Sequence, residues 1–124
     1  MSLATYSAAV LAATPKVYWK LDESAGNPVD SSGNGFNITT VTGTPRYQQP
    51  GFFAPGSVEF PVASSMSRAV FSVEVGSLTI EMLIWRYGAT SFEWMYSCGT
   101  PAATNGYGVG FDTNGKMIAV AHNI

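Results

Sequence analysis

Residues 78–85 restrict the possible folds of this chain more than any other segment. Apolar side chains stand at every second position along it, at Leu78, Ile80, Met82 and Ile84. A period of two places these four side chains on one face of a β-strand. The opposite face is polar at the start of the segment and apolar at its end, which indicates cover on both sides there. The segment therefore predicts a strand with one face in a core.

Shorter segments typical of strands recur along the chain. They lie at residues 16–21, 36–41, 57–60, 71–75, 92–97, 106–111 and 116–122. Turn-forming Asp, Asn, Ser and Gly crowd residues 22–37, and Asp112-Thr113-Asn114-Gly115 is typical of a hairpin turn. Many short strands with no helices between them predict an all-β fold, an antiparallel sandwich or barrel.

Only the start of the chain has helical spacing. Apolar residues recur at that spacing over residues 5–13, Thr5 is the expected N-cap, and Pro15 ends the segment. A helix this short is marginal by itself, so it is expected to dock on the rest of the fold.

Composition excludes several classes of partner. The 124 residues suit one domain, and only 11% of them are charged, against about 25% in typical soluble proteins. We therefore expect part of the weakly charged surface to be buried against neighbouring subunits. The six basic residues are scattered and the net charge is −2, which argues against nucleic acid. No apolar run is long enough to span a membrane, and no basic residue precedes the apolar start, so we expect no signal peptide. Cys98 is alone, which excludes an internal disulfide.

Four motifs follow one another in a recognisable order. They are Tyr18-Trp19-Lys20-Leu21-Asp22-Glu23, Asp30-Ser31-Ser32-Gly33-Asn34-Gly35, Gly56-Ser57-Val58-Glu59-Phe60 and Leu78-Thr79-Ile80-Glu81-Met82. Over residues 16–120 they resemble the laminin-G-like, concanavalin-A-like lectin family, which implies an antiparallel β-sandwich of the jelly-roll type. We expect residues 1–15 to form an N-terminal helical segment and residues 16–124 to form the leading part of one lectin-like domain.

The strands that complete both sheets in this family have no counterpart before residue 124. The sandwich is thus expected to be incomplete at its C-terminus. Either the chain is a portion of a longer polypeptide, or another subunit completes the sheet, because an unpaired final strand exposes backbone donors and acceptors.

The segment Tyr6-Ser7-Ala8-Ala9-Val10-Leu11, followed by Pro15 and Tyr18-Trp19, also resembles the start of bacteriophage virion proteins, especially tail-associated ones. This narrower resemblance implies a virion-surface or tail-associated protein. Its lectin-like module would mediate assembly, with other virion subunits or as a homo-oligomer, or contact host cell-surface glycans. The alternative is a carbohydrate-binding module of a secreted bacterial enzyme or adhesin.

Aromatic side chains are the candidates for carbohydrate binding, because their faces can stack on sugar rings. Trp19 and Trp85 lie in strongly apolar segments and are expected in the core. Trp94, Tyr96 and Tyr107 are the better candidates, and contacts between subunits would use the same residues.

Oxygen-bearing side chains suggest calcium at one loop. Asp22, Glu23, Asp30 and Asn34 supply hard oxygen ligands, and relatives often hold calcium near such loops, although a turn with solvated carboxylates explains the same residues. The segment 112–115 contains part of a calcium-loop pattern, but the glutamate that should follow is missing, so a hairpin turn explains it.

Few combinations of residues in the sequence are typical of a catalytic site. Cys98 with His122 forms the only cysteine–histidine combination, and Glu81 with Glu93 the most plausible carboxylate pair for glycoside hydrolysis. Leu83 stands where the active-site strand of related enzymes carries a second acidic residue. We expect no enzyme activity. Asn37-Ile38-Thr39 matches an N-glycosylation acceptor, which matters only in a secreted eukaryotic protein.

Overall fold

The computed structural model describes residues 2–53, 56–68, 79–84, 93–100 and 105–122. The chain divides into two compact units, an N-terminal unit of residues Met1–Ala69 and a C-terminal unit of residues Val70–Ile124. The described residues form one helix and seven strands. This bears out the expected β-rich class with a short N-terminal helix.

Helix α1 covers Leu3–Ala12 and ends before Pro15, as the sequence predicts. Its N-cap is Ser2 and not Thr5, because the Ser2 hydroxyl accepts a hydrogen bond from the Thr5 backbone N–H at 3.2 Å. No residue of α1 is buried. The contacts that dock it on the unit include a hydrogen bond between the hydroxyls of Ser7 and Tyr18 at 3.0 Å.

Two short antiparallel ladders build the N-terminal unit. Strand β1 (Thr40–Thr42) pairs with β4 (Ser65–Ser67), and β2 (Arg46–Gln49) pairs with β3 (Ser57–Glu59). The strand expected at residues 57–60 is thus confirmed, and the one expected at 36–41 is displaced toward its end.

The strand expected at residues 16–21 does not form; only a single bridge joins Trp19 to Asp30. Leu21 has a φ of 57°, which takes the chain out of the extended conformation and ends any ladder there.

The C-terminal unit contains an antiparallel meander of three strands. Strand β5 (Glu93–Thr100) pairs with β6 (Asn105–Phe111), and β6 pairs with β7 (Met117–His122). The predicted hairpin turn joins β6 to β7. In it the Gly115 N–H donates to the Asp112 carbonyl at 2.9 Å, and the Asp112 carboxylate accepts from the backbone of Asn114 and Lys116.

Residues 79–84 keep the predicted alternation without joining a ladder. Ile80, Met82 and Ile84 are partly buried, whereas the residues between them are exposed. The expected cover on both sides at the end of the segment is wrong for Leu83, which is 51% exposed. The three side chains line an apolar cavity of about 160 Å³ together with side chains from all three strands of the meander. The strand expected at 71–75, and Trp85, lie outside the described residues.

Few described side chains are fully buried. Ile38 and Tyr107 are 5% and 6% exposed, and Pro28 is buried beside the loop that contains Asp30. Within the described part of the chain, no helix has the length and apolarity that crossing a membrane requires.

Candidate functional site

The carboxylate of Asp30 organises the polar loop of the N-terminal unit. Asp30 is only 6% exposed. Its Oδ1 accepts hydrogen bonds from the backbone N–H groups of Tyr18 and Ser32, both at 2.9 Å. Its Oδ2 accepts from the Phe36 N–H at 2.9 Å and from the Ser32 hydroxyl at 2.8 Å. Four donors thus occupy the acceptor sites of one buried carboxylate, which is how a buried charge is tolerated.

Further hydrogen bonds tie the same loop to the segment before it. The Trp19 indole N–H donates to the Phe36 carbonyl at 2.7 Å. The Asn34 carboxamide donates to the carbonyls of Lys16 and Pro15 at 3.0 and 3.4 Å. The side-chain oxygen of Asn37, from the glycosylation acceptor sequence, accepts from the Asp30 N–H at 2.9 Å. The loop is therefore held by its own side chains.

The residues expected to bind calcium already have protein partners. Asp22 pairs with the Lys20 ammonium at 3.6 Å, and Glu23 Oε1 accepts from the Val29 N–H at 2.9 Å. Glu23 Oε2 is buried and has no hydrogen-bond partner among the described residues. Within the same residues, no three acidic, histidine or cysteine side chains converge on a point where a metal ion fits. Calcium at this loop stays a prediction.

The hydrogen bonds to Asp30 predict a dependence of stability on pH. Burial alone raises the pKa of the Asp30 carboxyl, but the hydrogen bonds from Tyr18, Ser32 and Phe36 outweigh it and hold the pKa below the ordinary value of 3.8. The carboxylate therefore stabilises the folded unit above about pH 4, and this contribution is lost as the pH falls through the ordinary value toward the folded pKa.

Urea denaturation at neutral pH and at about pH 3 tests this dependence. We expect the urea concentration at the unfolding midpoint of the wild-type chain to decrease as the pH is lowered. Asp30→Asn should be less stable at neutral pH and lose less on acidification. Parallel pH profiles for the two proteins would show that another group controls acid unfolding.

The structure brings together two of the three aromatic candidates for sugar binding. Tyr96 on β5 and Tyr107 on β6 have ring centroids 5.9 Å apart, and their hydroxyls lie 3.5 Å apart. Burial raises the pKa of both phenols, and the neighbouring Tyr96 hydroxyl raises that of Tyr107 further. Both hydroxyls are therefore protonated at neutral pH. Because Tyr107 is 6% exposed, it leaves little surface for a ligand.

Trp94 lies on the opposite face of the sheet. It pairs with Gly110, whereas Tyr96 pairs with Val109, because a bulge at Met95 shifts the register by one residue. A Cβ atom at Gly108 would lie 2.7 Å from Cζ3 of the indole, so the Trp94 ring packs directly on the β6 backbone. We call this side the glycine face (Trp94, Gly108 and Gly110). The other side is the tyrosine face (Tyr96, Tyr107 and Val109).

The sequence did not single out these glycines or the structural role of Asp30. A signal for each was present. Gly106, Gly108 and Gly110 stand at alternate positions, and glycine in a strand often marks a close approach to the backbone. An Asp two residues before Ser32 is typical of a side chain that hydrogen-bonds to its own backbone.

The two residues of each candidate catalytic pair lie on different elements of the structure. Cys98 is partly exposed and lies opposite Tyr107 in the ladder. Glu81 is exposed on segment 79–84, and Glu93 begins β5. His122 ends β7, and its side chain lies outside the described residues.

Neither protein-family models, curated proteins nor solved structures match this chain. The resemblance to the lectin family therefore stays a prediction.

Proposed function

We propose that this chain is a lectin-like module of a bacteriophage virion surface or tail, with a jelly-roll fold, and that it contacts host glycans without catalysis. The observation that carries the proposal is the placement of Trp94. Its indole is partly exposed and packs on the backbone of Gly108. An aromatic side chain in that position offers an apolar surface on which a sugar ring can stack.

The glycines beside Trp94 support this role. The β6 residues on this side of the sheet are Gly106, Gly108 and Gly110, which have no side chains to hold the indole away from the strand. The ring is thus restrained against the sheet before any ligand arrives. Restraint in the free protein reduces the conformational entropy that binding would otherwise remove.

The charge of the chain favours a neutral ligand. Only 11% of the residues are charged and the net charge is −2, which disfavours phosphate-rich partners. Neutral sugars are bound through aromatic faces and hydrogen bonds, which such a chain can supply. A surface with so little charge also suits burial against other virion subunits.

Binding to a glycan array that includes bacterial surface polysaccharides, followed by calorimetric titration of any hit, tests the proposal. We expect saturable binding that Trp94→Ala weakens about tenfold or more, because truncation of an aromatic anchor removes most of its contact area. Trp94→Phe should retain part of the affinity. Met117→Ala is the matched control, since Met117 is 63% exposed on the same unit and is not on the glycine face.

Circular dichroism has to show that each variant is folded. Equal affinity of wild type and Trp94→Ala would contradict the role of Trp94. If the folded chain binds no glycan and forms stable oligomers, its function is subunit assembly and not contact with glycans.

A further inference from the structure

Three Asn-Gly pairs occur in the sequence, Asn34-Gly35, Asn105-Gly106 and Asn114-Gly115. In such a pair the glycine backbone nitrogen can attack the asparagine Cγ, because glycine has no side chain that hinders the approach. The N–Cγ bond forms, the Cγ–Nδ2 bond breaks, and ammonia leaves. Water then opens the cyclic imide at either carbonyl and yields aspartate or isoaspartate. The reaction needs only water and a base.

In two of these pairs the glycines have nearly the same φ. Gly35 and Gly115 have φ values of 76° and 79°, and Asn34 and Asn114 are both exposed. A difference in their reactivity is then expected from the contacts that hold the reacting groups. Attack requires the carboxamide carbon to reach the glycine nitrogen, and contacts that hold either group elsewhere slow it.

The two carboxamides differ in how they are held. The Asn34 carboxamide donates to the Lys16 and Pro15 carbonyls at 3.0 and 3.4 Å, within the loop organised by Asp30. The Asn114 carboxamide makes no hydrogen bond to any described residue and stands at the tip of a hairpin. One bond opposes reaction at Asn114, because the Gly115 N–H donates to the Asp112 carbonyl at 2.9 Å.

We propose that Asn114 is a site of spontaneous deamidation in the folded protein. Each hydrogen bond that must open slows the reaction about fivefold, so two bonds at Asn34 against one at Asn114 give an advantage of about fivefold to Asn114. Asn105 lies in the central strand, where Gly106 pairs with both neighbouring strands, so it reacts more slowly than Asn114. This modification does not depend on the proposed glycan binding.

The product changes the turn between β6 and β7. A new carboxylate appears beside Asp112, whose own carboxylate already accepts from Asn114 and Lys116, and the formal net charge changes from −2 to −3. Isoaspartate also inserts a methylene group into the backbone of the turn. The Gly115 hydrogen bond to Asp112 then loses its geometry, and β7 is less firmly joined to β6.

Peptide mapping of the folded chain, aged in mildly alkaline buffer, tests the proposal. A mass gain of about 1 Da marks each deamidated peptide, and an isoaspartate methyltransferase assay identifies the isomer. We expect Asn114 to react about fivefold faster than Asn34 in the folded chain, and the two rates to converge in denaturant. Asn114→Gln should abolish the reaction at that site. Asp112→Ala removes the two hydrogen bonds from the Asn114 and Lys116 N–H groups that help hold the Gly115 N–H against the Asp112 carbonyl, so it should accelerate the reaction at Asn114 alone.

Equal or faster reaction at Asn34 in the folded chain would overturn the proposal. So would a ratio of rates that is the same in denaturant as in the folded state, because the fold would then have no part in selecting Asn114.

Discussion

Replacement of Asp30 by alanine is expected to lower the free energy of unfolding of the N-terminal unit by about 3–5 kcal/mol. The substitution leaves the N–H groups of Tyr18, Ser32 and Phe36, and the Ser32 hydroxyl, without their shared acceptor. Loss of a hydrogen-bond network around a buried group is among the few causes of destabilisation this large. Urea denaturation followed by circular dichroism measures the change.

Asp22→Ala is the matched control for this prediction. Asp22 is another aspartate of the same unit, but its ion pair with Lys20 is long, at 3.6 Å, and partly exposed to solvent. Removing such a pair changes stability by about 0–1 kcal/mol. If Asp30→Ala were no more harmful than Asp22→Ala, the carboxylate of Asp30 would not be what holds the loop.

Gly110→Ala is expected to destabilise the C-terminal unit by about 3 kcal/mol. A Cβ atom at this position would collide with the backbone carbonyl oxygen of Glu93 and lie 3.2 Å from Cα of Trp94. These are backbone atoms of the paired strand, so they can move only if the ladder between β5 and β6 opens. Thermal or urea unfolding of the variant measures the effect.

Gly108→Ala provides the comparison, since its closest obstacle is a side chain. The added Cβ would lie 2.7 Å from the indole of Trp94 and 3.0 Å from the Tyr96 carbonyl oxygen. Removing the indole with Trp94→Ala should therefore recover part of the stability lost in Gly108→Ala, and none of that lost in Gly110→Ala. Wild-type stability of Gly110→Ala, or rescue of both variants by Trp94→Ala, would contradict this account of the glycine face.

Local patterns predicted the features of the fold that depend on neighbouring residues. The helix near the start, the hairpin turn at 112–115 and the alternating burial at 79–84 each follow from periodicity or turn chemistry within a few positions. The strand expected at residues 16–21 does not form, because a side chain and not the backbone of a partner strand accepts the hydrogen bond from this segment. The Asp30 carboxylate takes the hydrogen bond from the Tyr18 N–H, across 12 positions of sequence.

The arrangement of the candidate site was less accessible from the sequence. A strict period of two would place Trp94 and Tyr96 on one face, and the bulge at Met95 separates them. A bulge depends on how β5 aligns with β6, which no pattern within β5 determines. The burial of Tyr107 likewise depends on its neighbours across the ladder, including Tyr96.

The bulge at Met95 also gives the meander two chemically distinct sides. One extra backbone residue decides that the indole lies over bare glycines and that the phenols lie on the side of Val109, which lines the apolar cavity. Met95 is the extra residue, so its deletion would leave Trp94 opposite Gly110 and Tyr96 opposite Val109 in a regular ladder. The length of β5 can therefore change by one residue at this position without moving either aromatic side chain to the other face.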